Sequence, residues 1–99
     1  MDQTPQLGNV ATRLLFENER VKVWEMLLEP GESSDLHQHT MDYLLCIIEG
    51  QSVDADRADG STIHVPVAPG DVFYIPRGGT ETAVNRSSSR YREVLIELK

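Results

Sequence analysis

Basic side chains are scarce in this chain: nine Lys and Arg stand against sixteen Asp and Glu, giving a net charge of −7. A nucleic-acid phosphate backbone or an anionic membrane surface is therefore an ill-matched partner. Cysteine is nearly missing too, and the lone Cys46 cannot form an internal disulfide. No apolar run approaches the roughly 20 residues a membrane-spanning helix needs. The opening Met1-Asp2-Gln3-Thr4-Pro5 has neither the basic start nor the apolar centre of a secretory leader. These absences point to a reducing cytoplasm. Sustained helical periodicity is also lacking, and Leu7 to Leu15 is the only helix candidate.

What is present is a strand pattern. Short apolar or alternating segments recur between Gly, Pro, Asn and Asp, as in an all-β sandwich or barrel. The spacing predicts strands over 12–17, 21–29, 35–49, 51–57, 62–67, 71–75, 80–85 and 90–99. Asn18-Glu19 and Asp59-Gly60 read as hairpin turns, and Pro69-Gly70, Pro76-Arg77-Gly78-Gly79 and Ser87-Ser88-Ser89 as loops. The chain's 99 residues make one domain, 1–99, burying roughly 60 to 65 per cent of its unfolded surface. In the last strand Val94, Ile96 and Leu98 alternate with Glu93, Leu95 and Glu97, so the first set is expected to be core. Between Val21 and Met26 neither strand face is wholly polar. That suits a wall with a cavity on one side and a second subunit on the other, and a homodimer would cover the exposed edges.

The segment Gly31-Glu-Ser-Ser-Asp-Leu-His37-Gln-His39 holds the densest chemistry. Residues two apart in a strand share a face, so His37 and His39 aim their rings in one direction. As neutral bases two adjacent imidazoles make half of a metal site.

Two spaced motifs follow. Gly31, His37, His39 and Gly50 fit the pattern glycine, five residues, His-x-His, a short gap, glutamate, six residues, glycine, with Tyr43 at the glutamate position. Gly70, Pro76, Gly78 and Asn85 fit glycine, five residues, Pro-x-Gly, two residues, histidine, three residues, asparagine, with Glu81 at the histidine position. In this the chain resembles the cupin family of small β-barrels, and the resemblance implies a single all-β jelly-roll barrel, a double-stranded β-helix. Asp42-Tyr43 and the closing Tyr91-Arg92-Glu93 also resemble a subgroup of single-domain cupins, one member of which is named for β-alanine degradation.

The resemblance implies one divalent metal in the barrel mouth, with His37, His39, Tyr43 and Glu81 in the four ligand places. Two imidazoles and a carboxylate match the 2-His-1-carboxylate arrangement of non-haem iron oxygenases. His37, His39 and Glu81 are therefore the expected ligands of Fe(II), Zn, Ni or Mn. Tyr43 titrates near pH 10 and suits orienting substrate or donating a proton better than ligation. Arg77, in the Pro-x-Gly turn, is the candidate clamp for a substrate carboxylate. The function that follows is a dioxygenase-like or isomerase-like enzyme acting on a small organic acid or diketone. The alternative is a non-catalytic ligand-binding barrel with a degenerate metal site, in which a histidine and Glu81 form a metal-free acid/base pair.

Other residues read more plainly. His64 opposes Ile63 and Val65 in parity and is expected to be exposed. Cys46 has the opposite parity to Tyr43 and should lie on the other sheet face. Asp42 could replace the missing motif glutamate only through a bulge. Trp24, Met26, Phe73 and Tyr74 are expected as core and cavity wall.

Overall fold

The computed structural model describes residues 6–99, so Met1 to Pro5, read above for a leader, lie outside the described residues. Among the described residues there are nine strands and no helix: β1 Arg13–Glu17, β2 Val21–Leu28, β3 His37–Gln38, β4 Tyr43–Glu49, β5 Ser52–Arg57, β6 Thr62–Pro66, β7 Val72–Ile75, β8 Thr80–Val84 and β9 Tyr91–Leu98. They form two antiparallel sheets, ordered β1-β2-β9-β4-β7 and β3-β8-β5-β6. No described helix is long and apolar enough to cross a membrane.

The turns follow from local chemistry. Asn18 accepts the Arg20 and Val21 amides at 2.8 and 2.9 Å, closing the β1–β2 hairpin. Asp59 does the same for Ser61 between β5 and β6. Gly50 has a φ of +136°, and a Cβ there would come within 2.9 Å of the Tyr91 ring, so only glycine fits this turn without strain.

Three expectations are corrected. Residues 7–15 form no helix; the chain runs irregularly into β1, where Leu14 and Phe16 are exposed. The long strand expected over 35–49 is broken into β3 and β4. After His37 and Gln38 the backbone pairs with a loop instead: the His39 amide donates to Gly79 and the Gly78 amide donates to His39, each at 2.8 Å. The chain then crosses to the other sheet, where Leu98 donates to the Asp42 carbonyl at 2.8 Å.

The third correction is to β9. Its buried face carries Tyr91, Glu93, Leu95 and Glu97, whereas Val94, Ile96 and Leu98 lie on the outer face. The alternation was misleading because each buried acid accepts from an aromatic donor: Tyr91 OH donates to Glu93 Oε1 at 2.5 Å and Trp24 Nε1 to Glu97 Oε1 at 2.7 Å. A buried acid with a partner costs far less than a bare one.

The core consists of Ala11, Trp24, Met26, Leu28, Tyr43, Ile47, Tyr91 and Leu95. At its margin sits the fully buried Asn85, the asparagine that ends the second motif. Its amide donates to Leu28 O at 2.9 Å and Ser89 O at 2.8 Å, and its oxygen accepts from the Ser87 amide and hydroxyl at 3.0 and 2.8 Å. One side chain thus ties the end of β2 to the β8–β9 loop.

Candidate functional site

Between the two sheets lies a cavity of about 480 Å³, within the size range of ligand pockets. Its walls are mainly apolar, with Met26, Leu45, Ile47, Phe73, Ile75 and Leu95 among them. Polar groups reach it from strands of both sheets. The opening strand of the four-stranded sheet brings His37, with His39 just beyond it, and β8 brings Glu81, the cross-strand partner of His37. β4 brings Tyr43, β5 brings Arg57, and β9 brings Glu93.

The two histidines meet as expected. Both are buried, and their Nε2 atoms lie 3.1 Å apart. His37 Nδ1 faces the Asp35 carbonyl at 2.8 Å. A carbonyl can only accept, so that nitrogen carries the proton and His37 presents a lone pair at Nε2. With both rings neutral, His39 donates from Nε2, and its Nδ1 becomes a buried acceptor without a partner. Burial, and next the neighbouring His37, pull the His39 pKa down to about 4. Its ring is therefore neutral at pH 7. The Tyr43 ring stacks on it, 4.0 Å between centroids.

The pair's spacing bears on metal binding. Two nitrogens on one ion at about 2.1 Å, with ordinary angles between them, lie roughly 3.0 to 3.4 Å apart, a range that includes this pair. A third donor is the difficulty. Among the described residues no group of three or more His, Cys, Asp or Glu side chains converges to hold an ion. Glu81 lines the same cavity, but its Oε1 lies over Gly79, close to where a Cβ would stand, with the Arg57 guanidinium nearby. The structure brings His37 and His39 together and does not bring Glu81 into a common three-donor group. Tyr43 points inward but offers no phenolate, since burial first, then Glu81 and Glu93, hold its proton well above the ordinary phenol range. The donors fall short of the three protein ligands typical of a catalytic metal.

Arg77 is corrected. It is exposed and does not line the cavity; its backbone amide donates to Asp42 at 2.9 Å. Rigid Pro76 and the tie to Asp42 hold this turn at the rim, and the arginine that does reach the cavity is Arg57, from the middle of a sheet. Asp42 also accepts from Tyr74 OH, so it does not replace the motif glutamate. His64 is exposed and bonded to Asp54 at 2.6 Å, and Cys46 lies half-buried on the outer sheet face.

Sequence reasoning missed Glu93. It is 3 % exposed, lines the cavity, and its Oε2 has no hydrogen-bond partner. Burial, and then Glu81, push its pKa up to about 7, against the pull of the Tyr91 hydroxyl. A signal was available: Glu93 shares strand parity with Tyr91 and Leu95, two large side chains that need burial.

A family model described as a cupin domain matches residues 24–96. Among solved structures, a cupin domain from Bordetella pertussis Tohama I superposes with a TM-score of 0.80 at 27% identity, covering 97% of this chain and 98% of that one. A cupin 2 conserved barrel domain protein from Salinispora arenicola CNS-205 gives 0.68 at 21%, covering 97% and 82%. A double-stranded β-helix domain protein from Klebsiella pneumoniae gives 0.71 at 18%, covering 95% and 82%. No curated protein matches the chain. With the motifs in place, the two sheets packed around them and most of its length matched by the family model, this chain belongs to the cupin family.

Proposed function

We propose that this cupin is a receptor for a small organic molecule, which seats an apolar body among the core side chains and a polar head against His39, Tyr43 and Glu93. The observation that carries this reading is the pair of buried, unpartnered polar atoms, His39 Nδ1 and Glu93 Oε2, on residues that line one apolar cavity. Buried polar atoms are rarely left bare, and a ligand is one way to satisfy them. The histidine pair and Tyr43 offer proton-transfer groups to a bound molecule, so a receptor of this form can also turn its ligand over without a metal. The likeness of Asp42-Tyr43 and Tyr91-Arg92-Glu93 to the subgroup named for β-alanine degradation supports kinship and says nothing of mechanism.

A mononuclear metal enzyme acting on a small organic acid or diketone is the second reading, favoured by the 3.1 Å between the two Nε2 atoms. Metal would supply Lewis-acid or oxygen chemistry there, held by His37 and His39. Calorimetric titration of chelator-treated protein with Fe(II), Zn, Ni and Mn separates the two. The receptor reading expects occupancy far below one ion per chain, and ligand binding that chelators leave untouched. Stoichiometric binding lost in both His37→Ala and Glu81→Ala would replace it with the metal enzyme.

We further propose a homodimer through the outer face of the five-stranded sheet. Phe16, Val23, Ile96, Leu44 and Tyr74 stand in register across all five strands, an apolar row in which Phe16 and Tyr74 are 54% and 59% exposed. Continuous exposed apolar surface of this kind marks a contact face. The double variant Phe16→Glu/Tyr74→Lys is expected to sediment as a monomer while the native chain sediments as a dimer. A native monomer at high micromolar concentration would refute this assembly.

A further inference from the structure

The chemistry at the polar end of the cavity selects one kind of head group. Its two unpartnered atoms are both acceptors: Glu93 Oε2 is a carboxylate oxygen, and His39 Nδ1 is left with a lone pair by the hydrogen-bond order set at Asp35. They belong to one cluster, because Tyr43 stacks on His39 and feels the charges of Glu81 and Glu93 and, more weakly, of Arg57. Charge points the same way. The carboxyl and guanidinium side chains lining the cavity are Asp54, Glu81, Glu93 and Arg57. Asp54 is already paired outward, with His64 at 2.6 Å and Arg86 at 3.1 Å. Arg57 and Glu81 are cross-strand partners whose ends both lie over Gly79. Glu93 is left with no cation, and Tyr91 OH, its one donor, is already committed to Oε1.

We propose that the ligand is a small primary amine with an apolar tail, and that Glu93 is the counter-ion of its ammonium group. This rests on the receptor reading above and narrows it. An ammonium carries three donors and no acceptor, which suits two bare acceptors, and its bond to a buried carboxylate is charge-assisted. A carboxylate ligand would find one guanidinium, Arg57, set opposite Glu81 in the strand register, Arg77 outside the cavity, and two acidic side chains in the wall.

The test compares hexylamine, hexanol and hexanoate at pH 7.5 by calorimetry and thermal shift, on native protein and on Glu93→Gln. Hexylamine is expected to bind at least about tenfold more tightly than hexanol or hexanoate, the usual reward of a charge-assisted bond. Glu93→Gln is expected to lose that preference while hexanol binding stays within about threefold. Hexanol or hexanoate binding as well as hexylamine would overturn the amine assignment and leave the receptor reading standing. Failure of all three to bind would overturn the receptor reading itself. An amine preference that survives in Glu93→Gln would remove Glu93 from the role. Should that variant not fold, the native protein decides by carbon-13 spectroscopy at about pH 6, below the raised pKa of the acid: the Glu93 carboxyl resonance moves to its ionised position with hexylamine and not with hexanol, and a resonance that stays in place overturns the contact.

Discussion

Asn85→Ala is expected to lower the unfolding free energy by about 3 to 5 kcal/mol, a large fraction of what a domain of this size possesses. The substitution removes four hydrogen bonds from a fully buried position. The Leu28 carbonyl is the costliest loss, because it is left in the interior where water does not replace the amide; an unsatisfied group there costs about 1 to 3 kcal/mol. Release of the Ser87–Ser89 loop adds to this, since its turn is built on the Asn85 oxygen. Urea unfolding of native, Asn85→Ala and the exposed control Ser88→Ala measures the effect. Ser88→Ala should stay within about 0.5 kcal/mol of native. A cost below about 1 kcal/mol for Asn85→Ala would mean that the loop holds without its hub.

Glu93→Gln is expected to gain stability relative to the native protein as pH rises. The carboxyl has an ordinary pKa of 4.5 and is raised to about 7 in the fold by burial and by Glu81. Between those values the folded chain holds a proton that the unfolded chain has released, so the folded state binds more protons and stability must fall with rising pH. The acid's contribution is complete below pH 4.5 and lost above about 7, a change on the order of 3 kcal/mol. His39 works against it. Its folded pKa of about 4 lies below the ordinary 6.5, so its contribution rises with pH through nearly the same window. The native curve should therefore be nearly level from pH 4.5 to 6.5, and the amide variant, which keeps His39 alone, should climb. The difference between the two melting curves isolates Glu93, whose neighbours in charge are Tyr91 on its own strand, Glu81 across the cavity and Tyr43 on β4. Curves that stay parallel from pH 5 to 8 would show that the acid is not held protonated.

The barrel was legible from the sequence because its punctuation is local: Asn18, Asp59, Gly50 and Gly70 each specify a turn through their own conformation or side-chain hydrogen bonds. The histidine pair was legible for the same reason, since two residues of strand suffice to align the rings. What depended on distant partners was not. The inward face of β9 looked polar in sequence because Glu93 and Glu97 owe their burial to Tyr91 and to Trp24, the latter far away in the chain. Alternation reports hydrophobicity and cannot see a hydrogen bond made across a sheet. Arg57 and Arg77 were indistinguishable by composition. Only the register that sets Arg57 opposite Glu81 decides which guanidinium meets the interior.

Gly50 gives this arrangement a remote handle. Its bare Cα leaves room for the Tyr91 ring, and that ring's hydroxyl is what Glu93 leans on. Any larger residue in this tight bend presses on an aromatic lever whose other end is a proton-bearing acid in the interior. Drift at this one bend would thus retune the electrostatics of the chamber without replacing any residue that lines it.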